Sequence, residues 1–349
     1  MMYGDLAHEA DPIIPPGHSS SGSLERLLRS RTFVVTTELD PPDSAQAEDV
    51  YRRARIFDGY VDAINATDGS GANCHMSSLA VCALLTRAGY SPVMQISCRD
   101  KNRLAIQGDI LGGAAMGVSN ILCLSGDGVQ LGDHPQAKPV FDLDCMSLLQ
   151  TGRKMRDDHM FQSGRKLTSA PKVFLGAAAN PSALPFELHA QQLAKKIAAG
   201  AQFIQTQYCY DLPRLRQYMS CIEDLGLLDS VFILIGVGPL RSARAAEWMR
   251  SKLPGVHIPD TVIQRMSGAT DQLTEGRKIC VDLVQEIREI KGVAGVHVMA
   301  YRQEEAVAEI IQRSGVLAGR QPWHPRLKPP DSRSISPCLE QLVDDTLHQ

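Results

Sequence analysis

Two carboxylates, Glu38 and Asp127, each come at the end of a short apolar run in this chain of 349 residues. Glu38 closes the run TFVVTTE just before a Pro-Pro pair, and Asp127 stands between two glycines in LCLSGDG. A carboxyl group half-buried at the end of a strand has its neutral form favoured by desolvation, as a general acid near neutral pH requires. The alternatives are an ion pair at the rim for Glu38 and a turn position for Asp127.

Other polar residues also follow apolar runs. Thr67 opens the small-residue segment TDGSG, which could present backbone amides and hydroxyls to a phosphate but matches neither a Walker loop nor a dinucleotide fingerprint. The Gln207 amide could donate to and accept from a flat heterocycle. The alternative for Thr67 and the segment it opens is a solvent-facing turn. The alternative for Gln207 is a contact with its local backbone. The further polar residues at run ends are Gln95, Asn180 and Arg302.

Eight apolar runs must position these side chains. Strands buried on both faces read as continuous apolar runs, and their alternation with helical stretches predicts parallel pairing. Eight such units predict an α/β fold, a (β/α)8 TIM barrel over residues 31–316, with the chemistry at the carboxyl ends of the strands. The runs are residues 32–38, 60–71, 91–97, 119–128, 172–181, 202–207, 231–239 and 295–301.

The segments outside these runs are predicted to be less regular. Residues 1–30 are rich in Pro, Gly and Ser, and we expect a flexible arm there; residues 317–349 form a Pro-rich tail with one possible helix at 337–347. The connection 126–144 is long and polar, which favours a functional loop. Residues 254–270 are interpreted as an extended excursion.

Charge and cysteine content narrow the function classes. The net charge of −3 and the scattered basic residues argue against a nucleic-acid partner, and no run approaches the ~20 apolar residues of a membrane-spanning helix. The nine cysteines include no CxxC spacing, which favours reduced thiols and a cytoplasmic protein. Cys74-His75 and His297 lack partners at ligand spacing, so no metal site is predicted. The GxSxG elbow of serine hydrolases is absent.

As an ordered set, several motifs resemble the methylenetetrahydrofolate reductase family over residues 32–315. The most specific is AGAQFIQTQYCYD after a basic helix; the others are TTELDPP, INATDGSGA, ILCLSGD, AAANP, IGVGPL and VHVMAYR. The resemblance implies a FAD-containing barrel that interconverts 5,10-methylene- and 5-methyl-tetrahydrofolate by hydride transfer.

The resemblance also implies roles for single residues. Glu38 matches the acid that protonates N10 and opens the five-membered ring to an iminium ion, which a fixed anion at Asp127 would stabilise. Gln207 matches a folate-contacting glutamine, and Arg302 lies near a substrate-binding arginine. FAD contacts are implied at or near Thr67, Gln95, Gly126, Asp127, Phe141, Asp142, Leu143, Asp144, Asn180 and Lys196.

The chain departs from the family pattern at four positions. Asp68 and Gln95 replace a Tyr or His, Ser125 replaces an Arg, and Ala243 replaces an aromatic residue that stacks on nicotinamide or folate. These changes remove expected contacts to the FAD phosphates. They also leave two alternatives for the electron carrier, NADH or another donor. We further expect a homo-oligomer with a small-molecule folate substrate.

Three other functions remain compatible with the sequence. A methyltetrahydrofolate-binding methyltransferase would share the barrel and the folate but transfer a methyl group to a corrinoid without redox chemistry. Proline dehydrogenase is a flavin barrel of similar shape. A binding or scaffold protein would need no catalytic Glu38.

Overall fold

The computed structural model describes residues 14–325 and contains a closed barrel of eight parallel strands in sequential order. The predicted fold class is therefore confirmed, and each strand overlaps its predicted apolar run. The strands are β1 Val34–Leu39, β2 Ala63–Ala66, β3 Pro92–Ser97, β4 Asn120–Leu124, β5 Phe174–Ala179, β6 Phe203–Tyr208, β7 Phe232–Val237 and β8 Val293–Val298.

Helices surround the barrel and return the chain to the start of each following strand. They are α1 Ser23–Arg29, α2 Ala47–Arg55, α3 Ser78–Arg87, α4 Arg103–Ala115, α5 Cys145–Asp157, α6 Phe186–Ala199, α7 Leu212–Asp224, α8 Ala243–Lys252, α9 Asp260–Gly268, α10 Gln272–Arg288 and α11 Ala306–Ser314. Among the described residues, no helix is long and apolar enough to cross a membrane.

Short polar side chains begin many of these helices. The Asn102 carboxamide accepts from the first amides of α4, and Asp144 forms a capping box with Ser147 at the start of α5. Asp211 and Asp271 accept from backbone amides at the starts of α7 and α10. These caps satisfy amides that have no intrahelical partner and so fix where each loop at the barrel mouth ends.

The bottom of the barrel is closed by helix α1. Leu24 and Leu28 are fully buried and pack against the lowest inward-facing layer, which includes Val34, Phe174 and Phe203. The expectation of a flexible arm is therefore wrong for residues 23–29, because burial of these leucines holds them in place. Residues 1–13 of the predicted arm lie outside the described residues.

The start of the predicted tail packs against the barrel through an ion pair. The Arg320 guanidinium donates through Nη2 to Asp62 Oδ2 at 2.9 Å and to the Phe33 carbonyl at 3.1 Å. Asp62 also accepts from the Val35 amide at 2.8 Å, and its side chain is 1% exposed. Residues 317–325 are therefore fixed to the base of β1 and β2. The possible helix at 337–347 lies outside the described residues.

Arg320→Met is expected to lower the free energy of unfolding by about 3 kcal/mol, since it leaves the buried Asp62 carboxylate without its cation. Denaturant unfolding followed by circular dichroism measures the change. Adding Asp62→Asn should restore part of the loss, because the neutral amide still accepts from Val35. An Arg320→Met protein within about 0.5 kcal/mol of the parent would contradict this account of the tail.

Candidate functional site

A layer of polar side chains crosses the middle of the barrel interior. Gln205 and Asn65 exchange two amide hydrogen bonds, of 2.7 and 3.0 Å, across the barrel. Gln205 Nε2 also donates to Thr36 Oγ1 at 3.1 Å, and Thr36 Oγ1 lies 2.9 Å from His297 Nδ1. All four side chains are buried. Mutual hydrogen bonding makes this burial tolerable and gives the layer a defined arrangement.

Glu38 lies directly above this layer, two residues along β1 from Thr36 and therefore on the same inward face. Its Oε1 accepts from Gln95 Nε2 at 3.3 Å and lies 3.4 Å from His297 Nε2. The side chain is 30% exposed, so one end contacts the polar layer and the other is open. The predicted half-buried carboxyl at a strand end is thus present.

A second carboxyl, Asp40, follows Glu38 on the same face of the chain. Its Oδ1 accepts from the Thr67 hydroxyl at 3.2 Å. Burial raises the pKa of Asp40, and the neighbouring Glu38 and Glu304 carboxylates raise it further, while the Thr67 hydrogen bond opposes them. The hydroxyl of Thr67, a residue predicted to contact the cofactor, donates its hydrogen bond to this carboxyl group.

One cavity of about 410 Å³ opens at the carboxyl ends of the strands, within the range of roughly 300–1,000 Å³ that small-molecule sites occupy. Its walls combine apolar side chains of β4 and β5 with polar groups from β1, β3, β6, β8 and α6. Five residues predicted from the sequence line it: Glu38, Gln95, Asn180, Lys196 and Gln207.

The outer end of the cavity lies against α6 and α7. Lys196 Nζ donates to the Ala178 carbonyl at 2.6 Å, which holds the cation at the cavity wall with further N–H groups to spare. His189 and Gln192 line the same wall. Tyr218 Oη is buried there without a hydrogen-bond partner among the described residues. These groups can hold a polar or anionic ligand.

Gln207 and the residues after it form the β6 side of the mouth. Gln207 Oε1 accepts from the Tyr208 amide at 2.9 Å, and its Nε2 makes no hydrogen bond within residues 14–325. Tyr208 donates to the Met299 carbonyl at 3.0 Å and stacks on Tyr210. Burial raises the pKa of Tyr208, with Glu38 and Asp40 adding to the shift, so this phenol stays neutral. Gln207 thus offers a free amide donor to a ligand.

Asn180 lies on the neighbouring part of the wall, directly after β5. Its Oδ1 accepts from the Ser182 amide at 3.1 Å. The connection between α8 and α9 approaches it so closely that a Cβ on Gly255 would lie 1.6 Å from Asn180 Nδ2. Glycine at 255, where φ is +76°, therefore allows this connection to cover the cavity edge.

Gly126 and Asp127 lie on the rim beyond β4, and neither lines the cavity. Gly126 has a φ of +91°, and a Cβ there would lie 2.2 Å from Ser97 Oγ. The exposed Asp127 carboxylate contributes to a raised pKa of Arg99, whose largest cause is the hydrogen bond to Asp100. Asp127 is therefore free to contact a ligand only where that ligand extends over β4.

Three cations on this rim are ion-paired with described residues. Arg99 donates to Asp100 at 2.6 Å, Lys101 lies 3.0 Å from both Asp68 and Asp109, and Arg103 contacts Asp142 at 2.7 Å. Asp68, one of the departures from the family pattern, also accepts from the Ser97 amide. A phosphate would have to displace an existing partner to bind here.

The predicted FAD segment 141–144 is engaged in structural contacts. The hydrogen bond from the Arg103 guanidinium lowers the pKa of Asp142 to about 2. Leu143 is buried, Asp144 caps α5, and Phe141 is 44% exposed. Arg302 lies beyond β8 with its guanidinium over the Tyr301 ring, outside the cavity lining. Within the described residues, no group of three or more His, Cys, Asp or Glu side chains could hold a metal ion.

The family model for methylenetetrahydrofolate reductase matches residues 23–315, which is most of the chain. The chain belongs to the methylenetetrahydrofolate reductase family. The resemblance inferred from the ordered motifs at the strand ends is therefore confirmed.

Curated members of the methylenetetrahydrofolate reductase family are distant in sequence. Methylenetetrahydrofolate reductase 2 of Saccharomyces cerevisiae is 24% identical over 281 residues, which cover 77% of this chain and 44% of that protein. The probable methylenetetrahydrofolate reductase (NADPH) of Caenorhabditis elegans is 20% identical, with coverages of 91% and 48%. The chain thus spans less than half the length of these relatives.

A solved structure shares the barrel. A protein from Clostridium thermocellum that binds two copies of 5-methyl-5,6,7,8-tetrahydrofolic acid superposes with a TM-score of 0.59 at 14% identity. The match covers 82% of this chain and 97% of that protein. At this identity the likeness concerns the fold.

Proposed function

We propose that this chain binds a tetrahydrofolate in the barrel mouth and, with FAD, interconverts its 5,10-methylene and 5-methyl forms. The observation that carries the proposal is that Glu38 and Gln207 line the same cavity together with Gln95, Asn180 and Lys196, in a chain of the methylenetetrahydrofolate reductase family. The folate bound by the C. thermocellum barrel is consistent with this substrate class.

Glu38 is the proposed acid. It is the carboxyl group that faces the cavity, and it stands on a rigid strand, which keeps it within a narrow range of positions relative to a bound ligand. Protonation of the folate nitrogen N10 makes that nitrogen a better leaving group when the five-membered ring opens. In the reverse direction the Glu38 carboxylate accepts the proton again.

The residues on the β5–α6 side fit a flavin cofactor. The unpartnered Tyr218 Oη and the Lys196 ammonium both lie at the outer end of the cavity, where a polar cofactor would satisfy them. Gln95 and Asn180 would contact its ring system, and Lys196 with His189 would face its anionic part. When bound, FAD supplies hydride transfer to or from the one-carbon unit. Asp127 would contact the portion of a ligand that extends over β4.

Turnover with added cofactor tests this proposal. Purified protein with FAD and either NADH or NADPH should convert 5,10-methylenetetrahydrofolate to 5-methyltetrahydrofolate, detected by chromatography. The two nicotinamides are compared because a relative is named for NADPH, whereas Ala243 stands where an aromatic partner of nicotinamide is expected. Protein that binds neither FAD nor the folate would contradict the proposal.

A second candidate is a methyltransferase that uses 5-methyltetrahydrofolate without a flavin. The rim between β2 and β4 favours it, because its cations are paired with Asp68, Asp100, Asp109 and Asp142 and therefore offer little to the phosphates of FAD. Anaerobic incubation with cob(I)alamin and 5-methyltetrahydrofolate distinguishes the two. Methylcobalamin formed without FAD would support the methyltransferase and exclude the reductase as the principal activity.

A further inference from the structure

Two side-chain nitrogens from different strands, one a hydrogen-bond donor and one an ion-pair neighbour, lie close to the same oxygen of Glu38. Gln95 Nε2, from β3, donates to Oε1 at 3.3 Å, and His297 Nε2, from β8, lies 3.4 Å from that oxygen. Both distances are longer than an ideal hydrogen bond. The other oxygen, Oε2, makes no hydrogen bond within residues 14–325, and the carboxyl group lines the cavity.

The buried layer beneath favours one position for the proton of His297. Gln205 Nε2 donates to Thr36 Oγ1 at 3.1 Å, and the Thr36 hydroxyl hydrogen has two acceptors within reach, His297 Nδ1 at 2.9 Å and the Val296 carbonyl at 3.5 Å. The shorter contact favours donation to Nδ1. Gln205 Nε2 also lies 3.3 Å from Nδ1, but its two hydrogens are directed to Asn65 Oδ1 and Thr36 Oγ1. With Nδ1 accepting from Thr36, we assign the hydrogen of the neutral ring to Nε2, which is the nitrogen next to Glu38.

We propose that His297 and Gln95 are positioning residues that occupy Oε1 of Glu38 as hydrogen-bond donors and so assign the transferable proton to Oε2, on the cavity side. This inference rests on the proposed role of Glu38 as the acid. The Oε2 proton moves to the folate nitrogen, the bond between that nitrogen and the one-carbon unit breaks, and the electron pair stays on the nitrogen. The resulting Glu38 carboxylate is stabilised by the two donors on Oε1.

Other charged or titratable groups face Glu38 and its surroundings. Asp40 follows β1 directly, and Tyr208 of β6 is close enough for the Glu38 charge to affect its pKa. Around Asp40 stand Glu304 and His75, and His75 is itself paired with Asp43. None of these groups donates a hydrogen bond to Glu38. The residues that decide which Glu38 oxygen carries the proton are therefore Gln95 from β3 and His297 from β8.

The variant His297→Leu tests the positioning role, because the catalytic rate and folate binding are measured separately. We expect His297→Leu to lower the plateau of kcat by roughly tenfold to hundredfold, while the Kd for 5-methyltetrahydrofolate changes little. The pH at which kcat falls to half its acidic plateau should rise by about one unit, since a carboxylate that loses a donor keeps its proton to higher pH. Gln95→Leu should move the midpoint in the same direction.

Two further variants make the test decisive. His297→Gln keeps an N–H donor near Oε1 and should recover most of the rate and the original midpoint, whereas His159→Leu, at an exposed histidine after α5, should match the parent. An unmoved midpoint in both His297→Leu and Gln95→Leu, in folded protein with normal folate binding, would overturn the inference while leaving the function intact. Absence of any folate turnover in the parent would instead contradict the proposed function.

Discussion

Glu38→Gln is expected to reduce kcat for folate turnover about a thousandfold while the protein still binds folate, because an amide cannot deliver the proton that ring opening requires. The substitution is nearly isosteric, and the Gln side-chain oxygen can still accept from Gln95 and His297, which contact Oε1 in the parent. Steady-state kinetics with FAD and a reduced nicotinamide, paired with equilibrium folate binding, measure the two effects separately.

The matched control for this substitution is Glu289→Gln, at the exposed end of α10. It makes the same chemical change far from the mouth and should leave both kcat and folate affinity at the parent values. Full turnover in Glu38→Gln would show that another group supplies the proton, and the assignment of the acid would then be wrong.

Ala178→Phe is expected to weaken folate binding by at least about a hundredfold, equivalent to roughly 2.7 kcal/mol. Ala178 lines the cavity from β5, and its carbonyl accepts from Lys196. A phenyl ring there would fill space that a ligand needs. Because the ring enters an existing cavity of about 410 Å³, it should fit without unfolding the barrel. Isothermal titration calorimetry and thermal unfolding measure affinity and stability.

Ala198→Phe provides the control, since Ala198 is an exposed position of α6 and the same ring there points away from the mouth. It should bind folate as the parent does. If Ala178→Phe were stable and also bound folate normally, the ligand site would have to lie elsewhere on the molecule.

The strands and the outline of the mouth could be predicted because burial on both faces makes a strand apolar throughout. Glu38, Gln95, Asn180 and Gln207 were found because carboxyl ends of parallel strands meet at one edge. Once the barrel is assumed, each of these residues must lie at the mouth, and each lines the cavity. Asp127 also follows its strand, but the rim turn directs it outside the cavity lining.

The polar layer was missed, although the strands contain a signal for it. Thr36, Asn65, Gln205 and His297 are polar residues at inward positions of otherwise apolar strands. Alternation along each strand, applied after the barrel was inferred, would have grouped them. What the sequence could not supply is the pairing across the barrel, because the tilt and register of the strands decide which side chains meet.

One interpretation of an irregular segment also failed for a physical reason. Leu24 and Leu28 are spaced as on one helix face, but the surrounding Pro, Gly and Ser composition suggested a flexible arm. In the predicted excursion over 254–270, α9 begins directly after Pro259, a residue compatible with a helix start. At residues 23–29 the apolar spacing is the stronger signal, because burial of the two leucines holds the helix in place.

The central claim is that the mouth of this barrel couples a flavin to the one-carbon unit of a folate. Anaerobic addition of 5-methyltetrahydrofolate to protein loaded with FAD tests it in one step, with the visible flavin absorbance as the readout. The account predicts bleaching of that absorbance in the parent protein. An absorbance spectrum that stays unchanged in parent protein shown to bind both FAD and the folate would contradict it.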